Sequence, residues 1–259
     1  MSGPNSITII VPALNEETHL EESVTTVVRA AEKWFDDYEV LVFNDGSTDR
    51  TGAIADTLAG RFKQVTAIHH ATPQCIGGVI RSGLDRARMR YVIWVDGKGA
   101  TPPEALDQIF AKKGEADLVV PFAWNQYERP WLRRIISRTF RRVLNTIFRL
   151  DLHQYTHLVL CETAVARQVR VRTSSYAYQA EALIKLIKSG CTYVQVGVRD
   201  NFALEGHKTK AFRPRNVGGV AAFFAYTLWD VYARQDVGLT RQLAARRTVP
   251  PSPSIAEKS

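Results

Sequence analysis

The sequence is poor in cysteine and lacks an N-terminal apolar segment. Its three cysteines, Cys75, Cys161 and Cys191, are widely spaced and form no Cys-x-x-Cys pair. This spacing excludes a paired-cysteine motif and indicates a reducing compartment. Residues 1–6 have no apolar core of the kind that a signal peptide carries, so we expect no signal peptide.

The chain also lacks a long uninterrupted apolar run. Its most apolar stretch, residues 217–233, is interrupted by Asp230 and is shorter than the ~20 apolar residues that a membrane span needs. We therefore predict an interfacial or packed helix over residues 214–235 rather than a span. Residues 236–259 are rich in Pro, Ser and Arg, and this composition predicts a disordered tail.

Acidic residues are outnumbered by basic ones, so the chain carries a formal net charge of +8. This excess favours anionic partners, namely phosphates, nucleic acid or an anionic membrane surface. We find no RNA- or DNA-binding motif in the sequence, which argues against nucleic acid. The length of 259 residues is enough for one large domain or two small ones.

Short β-branched runs alternate along the chain with segments of helical apolar spacing. This alternation predicts an α/β fold with a mostly parallel central sheet flanked by helices. The predicted strands are Ile7–Pro12, Val40–Phe43, Val65–His69, Tyr91–Val95, Leu158–Leu160 and Thr192–Val198. The predicted helices are Thr18–Trp34, Thr51–Phe62, Gly77–Arg88 and Tyr178–Ser189, with another beginning at Pro102–Glu104.

Polar turns that carry acids follow two of these strands. Asn44–Asp49 follows one strand, and Asp96 ends the apolar run of another. Ligands of open α/β sheets bind at the carboxyl ends of the strands, so both turns are candidate binding segments on one edge. Gly97 and Gly99 allow the backbone after Asp96 to turn sharply and to approach a ligand.

Three segments in this order resemble glycosyltransferase family 2: Val11–Glu17, Asn44–Asp49, and Asp96 followed by Pro102–Glu104. The similarity extends over Ile7–Arg213, and the branch it resembles is that of the dolichol- and polyprenyl-phosphate mannose synthases. The resemblance implies a GT-A fold over residues 1–213, with a Rossmann-like nucleotide-binding half. It also implies an enzyme that transfers a sugar from a nucleotide-sugar donor.

The resemblance implies roles for particular residues. In this family the first two turns hold the nucleoside, and an Asp-x-Asp turn holds a divalent metal and the donor diphosphate. The positions implied to bind the nucleotide are Pro12, Leu14, Asn15, Glu16, Asn44, Asp45, Asp96 and Lys98.

The chain departs from the family pattern where the family binds metal. Lys98 replaces the second Asp of the Asp-x-Asp turn, and Ala100 replaces a frequent Gln. The net charge of Asp96 and Lys98 is zero, and so is that of two carboxylates with one divalent cation. The Lys98 ammonium would also repel a metal ion. We therefore predict no metal cofactor, with Lys98 contacting the diphosphate and Mg²⁺ or Mn²⁺ as the less favoured interpretation. The alternative is a solvated Lys98 in an inactive site.

Asn44 stands where the family has the first Asp of a pair. An Asn amide both donates and accepts hydrogen bonds, so uracil remains compatible and cytosine becomes so. The alternative is that Asn44 only forms an Asx turn, for which Asn is well suited.

Segment 129–150 combines an apolar stripe at helical spacing with arginines and no acid. Without the seven arginines of this segment, the net charge of +8 falls to +1. The stripe consists of Trp131, Leu132, Ile135, Ile136, Phe140, Val143, Leu144, Ile147 and Phe148. The pattern is typical of an interfacial membrane helix, in which each near-surface Arg adds ~1 kcal/mol of attraction to an anionic leaflet. A core-packed helix with a solvated basic face is the alternative.

The resemblance places this segment at the membrane, where an Arg and a Ser hold the phosphate of a lipid acceptor. Arg133 and Ser137 are four residues apart, share one helix face, and match those roles. Arg129 is a further acceptor-binding candidate. Lys208 and Lys210 lie in a segment that resembles a family loop near the donor phosphates; a mobile basic loop is the alternative.

The need for a general base depends on the acceptor. A phosphate acceptor is already a nucleophile at neutral pH, whereas a hydroxyl acceptor needs a base, for which Asp151 and His157 are candidates. His153 and His157 are four residues apart and could suggest a metal site with Asp151. No His-Glu-x-x-His pattern accompanies them, so packing or substrate contact is the favoured interpretation.

These observations favour a cytoplasmic glycosyltransferase, peripheral on the membrane, with a nucleotide-sugar donor and a polyprenyl-phosphate or other acceptor. A soluble enzyme with a small-molecule acceptor is one alternative. A non-catalytic protein that binds nucleotide or membrane is another. The sugar, the base, the acceptor and the formation of a homo-oligomer stay open.

Overall fold

The computed structural model describes residues 5–173, 177–204 and 223–233. The strands are β1 (Ser6–Ala13), β2 (Asp37–Asn44), β3 (Val65–His69), β4 (Tyr91–Trp94), β5 (Leu118–Ala123), β6 (Leu160–Glu162) and β7 (Tyr193–Val198). The helices are α1 (Leu20–Trp34), α2 (Thr51–Arg61), α3 (Cys75–Arg86), α4 (Pro103–Ala111), α5 (Trp131–Phe148), α6 (Thr163–Ala166) and α7 (Tyr178–Lys188). Residues 223–233, here called the C-terminal segment, are helical.

The seven strands form one sheet in the order β3-β2-β1-β4-β6-β5-β7. Among the described strands only β6 is antiparallel to its neighbours, β4 and β5. The other pairs are parallel, so the predicted mostly parallel α/β sheet flanked by helices is confirmed. All strands except β6 therefore have their carboxyl ends on the same edge.

The strand predicted at Leu158–Leu160 lies two residues further along, at β6. Its position is set by pairing with β4, in which Tyr91 lies opposite Glu162 and Val92 opposite Cys161. This long-range register is invisible in a local apolar pattern. The other predicted strands and helices differ from the observed ones only by a few residues at their ends.

Each face of the sheet carries its own buried core. Ile9 of β1 packs into a cluster with α1, α2 and α4, and Ile10 into one with α3, α7 and the end of α5. Both isoleucines are buried, as expected for a parallel strand covered on both faces. Gly83 lets α3 approach closely, because a Cβ there would lie 2.6 Å from the Ile10 side chain.

Helix α5 is only partly covered by the other residues that the structure describes. Within this helix only Leu144 and Phe148 are buried, both in the C-terminal half. In the same half, Phe140 packs against Phe223 and Phe224 of the C-terminal segment. The exposed apolar side chains of the helix are Trp131, Leu132, Ile135 and Val143. A core-packed helix is therefore wrong for the N-terminal half of α5.

The helix predicted over residues 214–235 is observed over 223–233. The other residues of that predicted helix lie outside the described residues. So do the predicted domain boundary at 213 and the predicted tail at 236–259. None of the helices described has the length and the apolar content that crossing a membrane requires.

A buried group of charges fastens the C-terminal segment to α7. Lys185 Nζ lies 2.6 Å from Glu181 Oε1 and 2.7 Å from Asp230 Oδ2, and it donates to the Arg170 carbonyl at 2.9 Å. Arg172 Nη2 lies 3.0 Å from Asp230 Oδ1. Two cations thus balance two anions, as buried charges require.

Lys185→Met should lower the free energy of unfolding by about 3–5 kcal/mol, because two buried carboxylates lose their shared ammonium. Urea unfolding followed by circular dichroism measures this loss. The matched control is Lys33→Met, which removes a solvent-exposed pair with Asp107 and should cost about 1 kcal/mol or less. Equal losses in the two variants would contradict the account.

Candidate functional site

The turn after β1 is tied to the turn after β2. Asn15 has a left-handed backbone with φ of 56°, a conformation that Asn tolerates better than most residues. Its side-chain oxygen accepts from the Thr48 N–H at 2.9 Å, and its own N–H donates to Ser47 Oγ at 3.0 Å. Glu16 N–H donates to Thr51 Oγ1 at 2.8 Å. The two predicted nucleoside turns therefore form one unit.

The Asn44 side chain is held by neighbouring residues. Its Oδ1 accepts from the Ser47 N–H at 3.1 Å, and its Nδ2 lies 3.1 Å from His69 Nδ1. The first contact spans three residues rather than the two of an Asx turn, but like an Asx turn it uses the amide oxygen within the local chain. The amide is used within the fold, and this weakens the expectation that it selects the base.

Asp45 is buried beneath the loop between β3 and α3. Its Oδ1 lies 2.8 Å from His70 Nδ1 and accepts from the Gln74 N–H at 2.8 Å. Its own N–H donates to the Ala13 carbonyl at 2.9 Å, which joins the ends of β1 and β2. Sequence reasoning singled out Asp45 but missed His70 and Gln74, which lie in the loop between β3 and α3.

The Asp96 turn folds back over the end of β1. Gly97 N–H donates to the Pro12 carbonyl at 3.2 Å, and a Cβ at Gly97 would lie 2.8 Å from that oxygen. The position therefore needs glycine. Ser23 Oγ of α1 donates to the Asp96 carbonyl at 2.8 Å, and Gly99 adopts a left-handed φ of 72°.

Asp96 and Lys98 form an ion pair. Lys98 Nζ lies 3.1 Å from Asp96 Oδ2, and the Lys98 N–H donates to Asp96 Oδ1 at 3.1 Å. Leu14 is exposed on the β1 turn. The structure thus brings the predicted donor residues of the β1, β2 and β4 turns to the same edge.

Glu16 adds a second carboxylate to this pair. Burial raises the pKa of Glu16, the charge of Asp96 raises it further, and the charge of Lys98 opposes the rise. Two carboxylates and one ammonium sum to −1, whereas the predicted neutrality counted Asp96 and Lys98 alone. Protonation of Glu16, which the raised pKa favours, leaves these three groups neutral.

The described side chains do not form a metal centre by themselves. No group of three or more His, Cys, Asp or Glu side chains within residues 5–173, 177–204 and 223–233 is arranged to hold a metal ion. The acid of the turn is paired with the Lys98 ammonium, which repels cations. Metal independence itself stays a prediction.

Residues after β7 contact the turn that follows β4. Asn201 N–H donates to the Ala100 carbonyl at 3.0 Å. Asp200 N–H donates to Asn125 Oδ1 at 3.1 Å, and Asn125 Nδ2 donates to the Asp200 carbonyl at 2.9 Å. Sequence reasoning missed Asp200, although its place after a predicted strand was a usable signal.

His157 holds Asp200 and is poorly placed to act as a base. Its Nδ1 accepts from the Leu158 N–H at 2.8 Å, so in the neutral ring the proton is on Nε2. Nε2 lies 3.1 Å from Asp200 Oδ2. Both ring nitrogens are engaged, and the general-base assignment of His157 does not fit this geometry.

Asp151 lies in an open groove beside α5. The groove has a volume of about 540 Å³. It is lined by Arg141, Arg142, Asn145, Thr146, Asp151, Leu152 and His153. The His153 ring stacks on Phe122 at 4.4 Å, and its Nδ1 lies 3.0 Å from Gln195 Oε1. His153 and His157 therefore have separate partners, in agreement with packing rather than a shared metal.

The predicted acceptor residues lie on or next to α5. Arg133 and Ser137 are half-buried, one turn apart. The Arg129 guanidinium lies 4.9 Å from the centre of the Phe202 ring. Lys208 and Lys210 lie outside the described residues.

The sheet order and the strand-end site define a GT-A protein. The same fold is present in glucosyl-3-phosphoglycerate synthase from Mycobacterium tuberculosis, solved with Mg²⁺ and uridine diphosphate. That structure has a TM-score of 0.61 and 17% identity, and the match covers 86% of this chain and 79% of that chain.

Residues 8–172 match Glycosyl transferase family 2, and the chain belongs to this family. It is 25% identical over 238 residues to glycosyltransferase AglD of Haloferax volcanii, a match that covers 88% of this chain. It is 26% identical over 206 residues to polyprenol monophosphomannose synthase of Mycolicibacterium smegmatis, a match that covers 73% of this chain. The chain spans 38% of the first relative and 75% of the second. The predicted family and branch resemblance are confirmed.

Glu16→Gln should raise the melting temperature of the ligand-free protein at pH 7 and leave it unchanged near pH 4. A raised pKa means that the folded state binds the proton more tightly, so the carboxyl costs stability as the pH rises above its unfolded value of about 4.3. Thermal unfolding at both pH values measures the difference. Glu22→Gln, an exposed change on α1, is the control. A lower melting temperature for Glu16→Gln at pH 7 would contradict the argument.

Proposed function

We propose that this chain transfers a sugar from a nucleotide-sugar donor to a polyprenyl phosphate at a membrane surface, without a metal ion. The observation that carries the proposal is the Asp96–Lys98 pair, 3.1 Å apart, on the edge where the β1, β2 and β4 turns meet. That edge is where open α/β sheets bind ligands. The family membership supports the transferase class.

The relatives support the choice of donor and acceptor. The glucosyl-3-phosphoglycerate synthase of the same fold has been solved with uridine diphosphate. Polyprenol monophosphomannose synthase and dodecaprenyl-phosphate galacturonate synthase, the latter from Rhizobium johnstonii and 26% identical over 171 residues, are named for polyprenyl-phosphate products. For this chain, both substrates are part of the proposal.

Lys98 takes the charge-balancing role at the donor diphosphate. In the free protein its ammonium contacts Asp96, and donor binding transfers that contact to a phosphate oxygen. A fixed positive charge stabilises the negative charge that develops on the departing nucleoside diphosphate. The Lys98 N–H still donates to Asp96 Oδ1, and this hydrogen bond keeps the turn in place.

The acceptor phosphate needs no dedicated base, because a phosphate oxygen is already ionised at neutral pH. This suits the described chain, in which both nitrogens of His157 are engaged. Asp151 remains the base candidate for a hydroxyl acceptor. Arg133 and Ser137 are proposed to bind the acceptor phosphate, with Arg129 at the start of the same segment.

The exposed face of α5 supports the membrane location. Trp131 is 65% exposed and Ile135 51% exposed on a helix that carries arginines and no acid. The neighbouring C-terminal segment adds Tyr226, Trp229 and Tyr232, all largely exposed. Aromatic side chains with arginines are typical of a helix that lies in the interface. This surface favours a membrane-bound acceptor over a soluble small molecule.

Sugar transfer should survive EDTA, because Lys98 supplies the charge. Lys98→Ala should lower kcat by about 10²–10³-fold, the usual cost of one electrostatic donor at a developing charge. Lys98→Asp should recover activity only with Mg²⁺ or Mn²⁺, since it restores an acidic pair. Radiolabelled transfer from a panel of nucleotide sugars to undecaprenyl phosphate measures all three.

Lys112→Ala is the control, because this lysine pairs with the exposed Glu115 after α4. Loss of wild-type activity in EDTA with recovery on adding Mn²⁺ would contradict the role of Lys98. Full activity of Lys98→Ala would do the same. Absence of transfer and of donor hydrolysis under all conditions would favour a non-catalytic nucleotide- or membrane-binding protein.

Binding to anionic vesicles should depend on the basic face of α5. Arg138→Gln with Arg142→Gln should reduce pelleting with phosphatidylglycerol vesicles, because each near-surface Arg contributes about 1 kcal/mol. Added salt should weaken wild-type binding, since exposed charges are screened over ~8 Å at physiological ionic strength. Co-sedimentation measures both effects.

Arg61→Gln with Lys63→Gln removes the same charge on or next to α2, which packs on the other face of the sheet, and is the matched control. It should pellet like the wild type. Equal, negligible pelleting with neutral and anionic vesicles would contradict membrane docking and would favour the soluble alternative.

A further inference from the structure

Two consecutive histidines at the end of β3 contact the two residues at the end of β2. His69 Nδ1 lies 3.1 Å from Asn44 Nδ2, and His70 Nδ1 lies 2.8 Å from Asp45 Oδ1. Neither histidine belongs to a motif that the sequence singled out. Because parallel β2 and β3 place Asn44 opposite His69, the contacts follow from strand register.

The Asn44 amide is engaged by His69 and by its own turn. An amide nitrogen only donates, so His69 Nδ1 accepts and its Nε2–H points to Asp56 Oδ1 at 2.9 Å. Asn44 Oδ1 accepts from the Ser47 N–H. A Cβ at Gly52 would lie 2.8 Å from Asn44 Nδ2, so the amide lies directly against the first turn of α2.

The Asp45 contact leaves one carboxylate oxygen available. The Asp45 side chain is 6% exposed, and its Oδ1 receives hydrogen bonds from His70 and the Gln74 N–H. From the described part of the chain, Oδ2 receives no hydrogen bond. A carboxylate oxygen accepts hydrogen bonds, and the position of Oδ2 at the end of β2 makes a ligand N–H a suitable partner.

The loop that carries His70 holds this carboxylate in one orientation. A carboxylate only accepts, so His70 donates its Nδ1–H, and the Gln74 N–H binds the same oxygen from the far end of the loop. Pro73 packs on Gly46, where a Cβ would lie 2.9 Å from the proline ring. Rotation of the Asp45 side chain would break both hydrogen bonds.

We propose that His70 is a positioning residue for the donor base. It fixes Asp45 so that Oδ2 accepts the ring N–H of a base that carries one on its pairing edge, uracil or guanine. Cytosine and adenine present a lone pair at that ring nitrogen, which the carboxylate repels. The inference rests on the proposed function, because it needs a nucleotide at the ends of β1, β2 and β4.

Isothermal titration of the full chain with UDP, GDP, CDP and ADP tests this inference. In the wild type the preferred one of UDP and GDP should bind about 10- to 100-fold more tightly than CDP and ADP, the range for a hydrogen bond to a charged group. His70→Ala should reduce that ratio about tenfold or more. His70→Asn should keep it, because its amide N–H reaches the position of Nδ1. His70→Gln should not, because its amide reaches the position of Nε2.

The Asn and Gln variants make a matched pair, since they carry the same group at different reach. A purely structural role of His70 would lower the melting temperature without changing the ratio between bases. If His70→Ala fails to fold by circular dichroism, the Asn and Gln pair decides the test. Nucleotide binding without base preference would overturn this inference but not the proposed function. An unchanged ratio of affinities between the bases in His70→Gln would do the same. Absence of binding to all four nucleotides would overturn the proposed function.

Discussion

The parallel pairing of β1 with both β2 and β4 is the constraint on which the site depends. Ala13 lies opposite Asn44 in one pair, and Ile10 lies opposite Trp94 in the other. This register brings the turns after β1, β2 and β4 together at one edge. The hydrogen bonds between Asn15 and Thr48 and between Gly97 and Pro12 then follow from proximity. The core beneath these strands therefore fixes the position of Asp96 and Lys98.

The fold was largely predictable from the sequence, because buried parallel strands are apolar runs and their ends carry polar turns. The motifs also indicated Asp45, Asp96 and Lys98, since all three lie just after an apolar run that is easy to recognise. β6 was misplaced, because its register depends on a long-range pairing with β4. Local patterns also give no information on a side-chain contact such as that of His70 with Asp45.

The same limit applies to His157. Its spacing from His153 suggested shared chemistry, but the structure gives each histidine a different partner, Asp200 for His157 and Gln195 for His153. A tautomer assignment needs both partners of the ring, and one of these comes from the segment after β7. The contribution of Glu16 to the charge of the site was also missed. Burial and the charge of Asp96 raise the pKa of Glu16, and Asp96 is brought near Glu16 only by the fold.

The central claim is that the donor diphosphate binds Lys98 rather than a divalent cation. The most direct measurement is a Mn²⁺ titration followed by electron paramagnetic resonance, with the protein and the tightest-binding nucleoside diphosphate both present. The account predicts that the protein binds no Mn²⁺ beyond what the nucleotide alone holds in solution. Stoichiometric Mn²⁺ bound to the protein–nucleotide complex, and lost in Asp96→Asn, would contradict it.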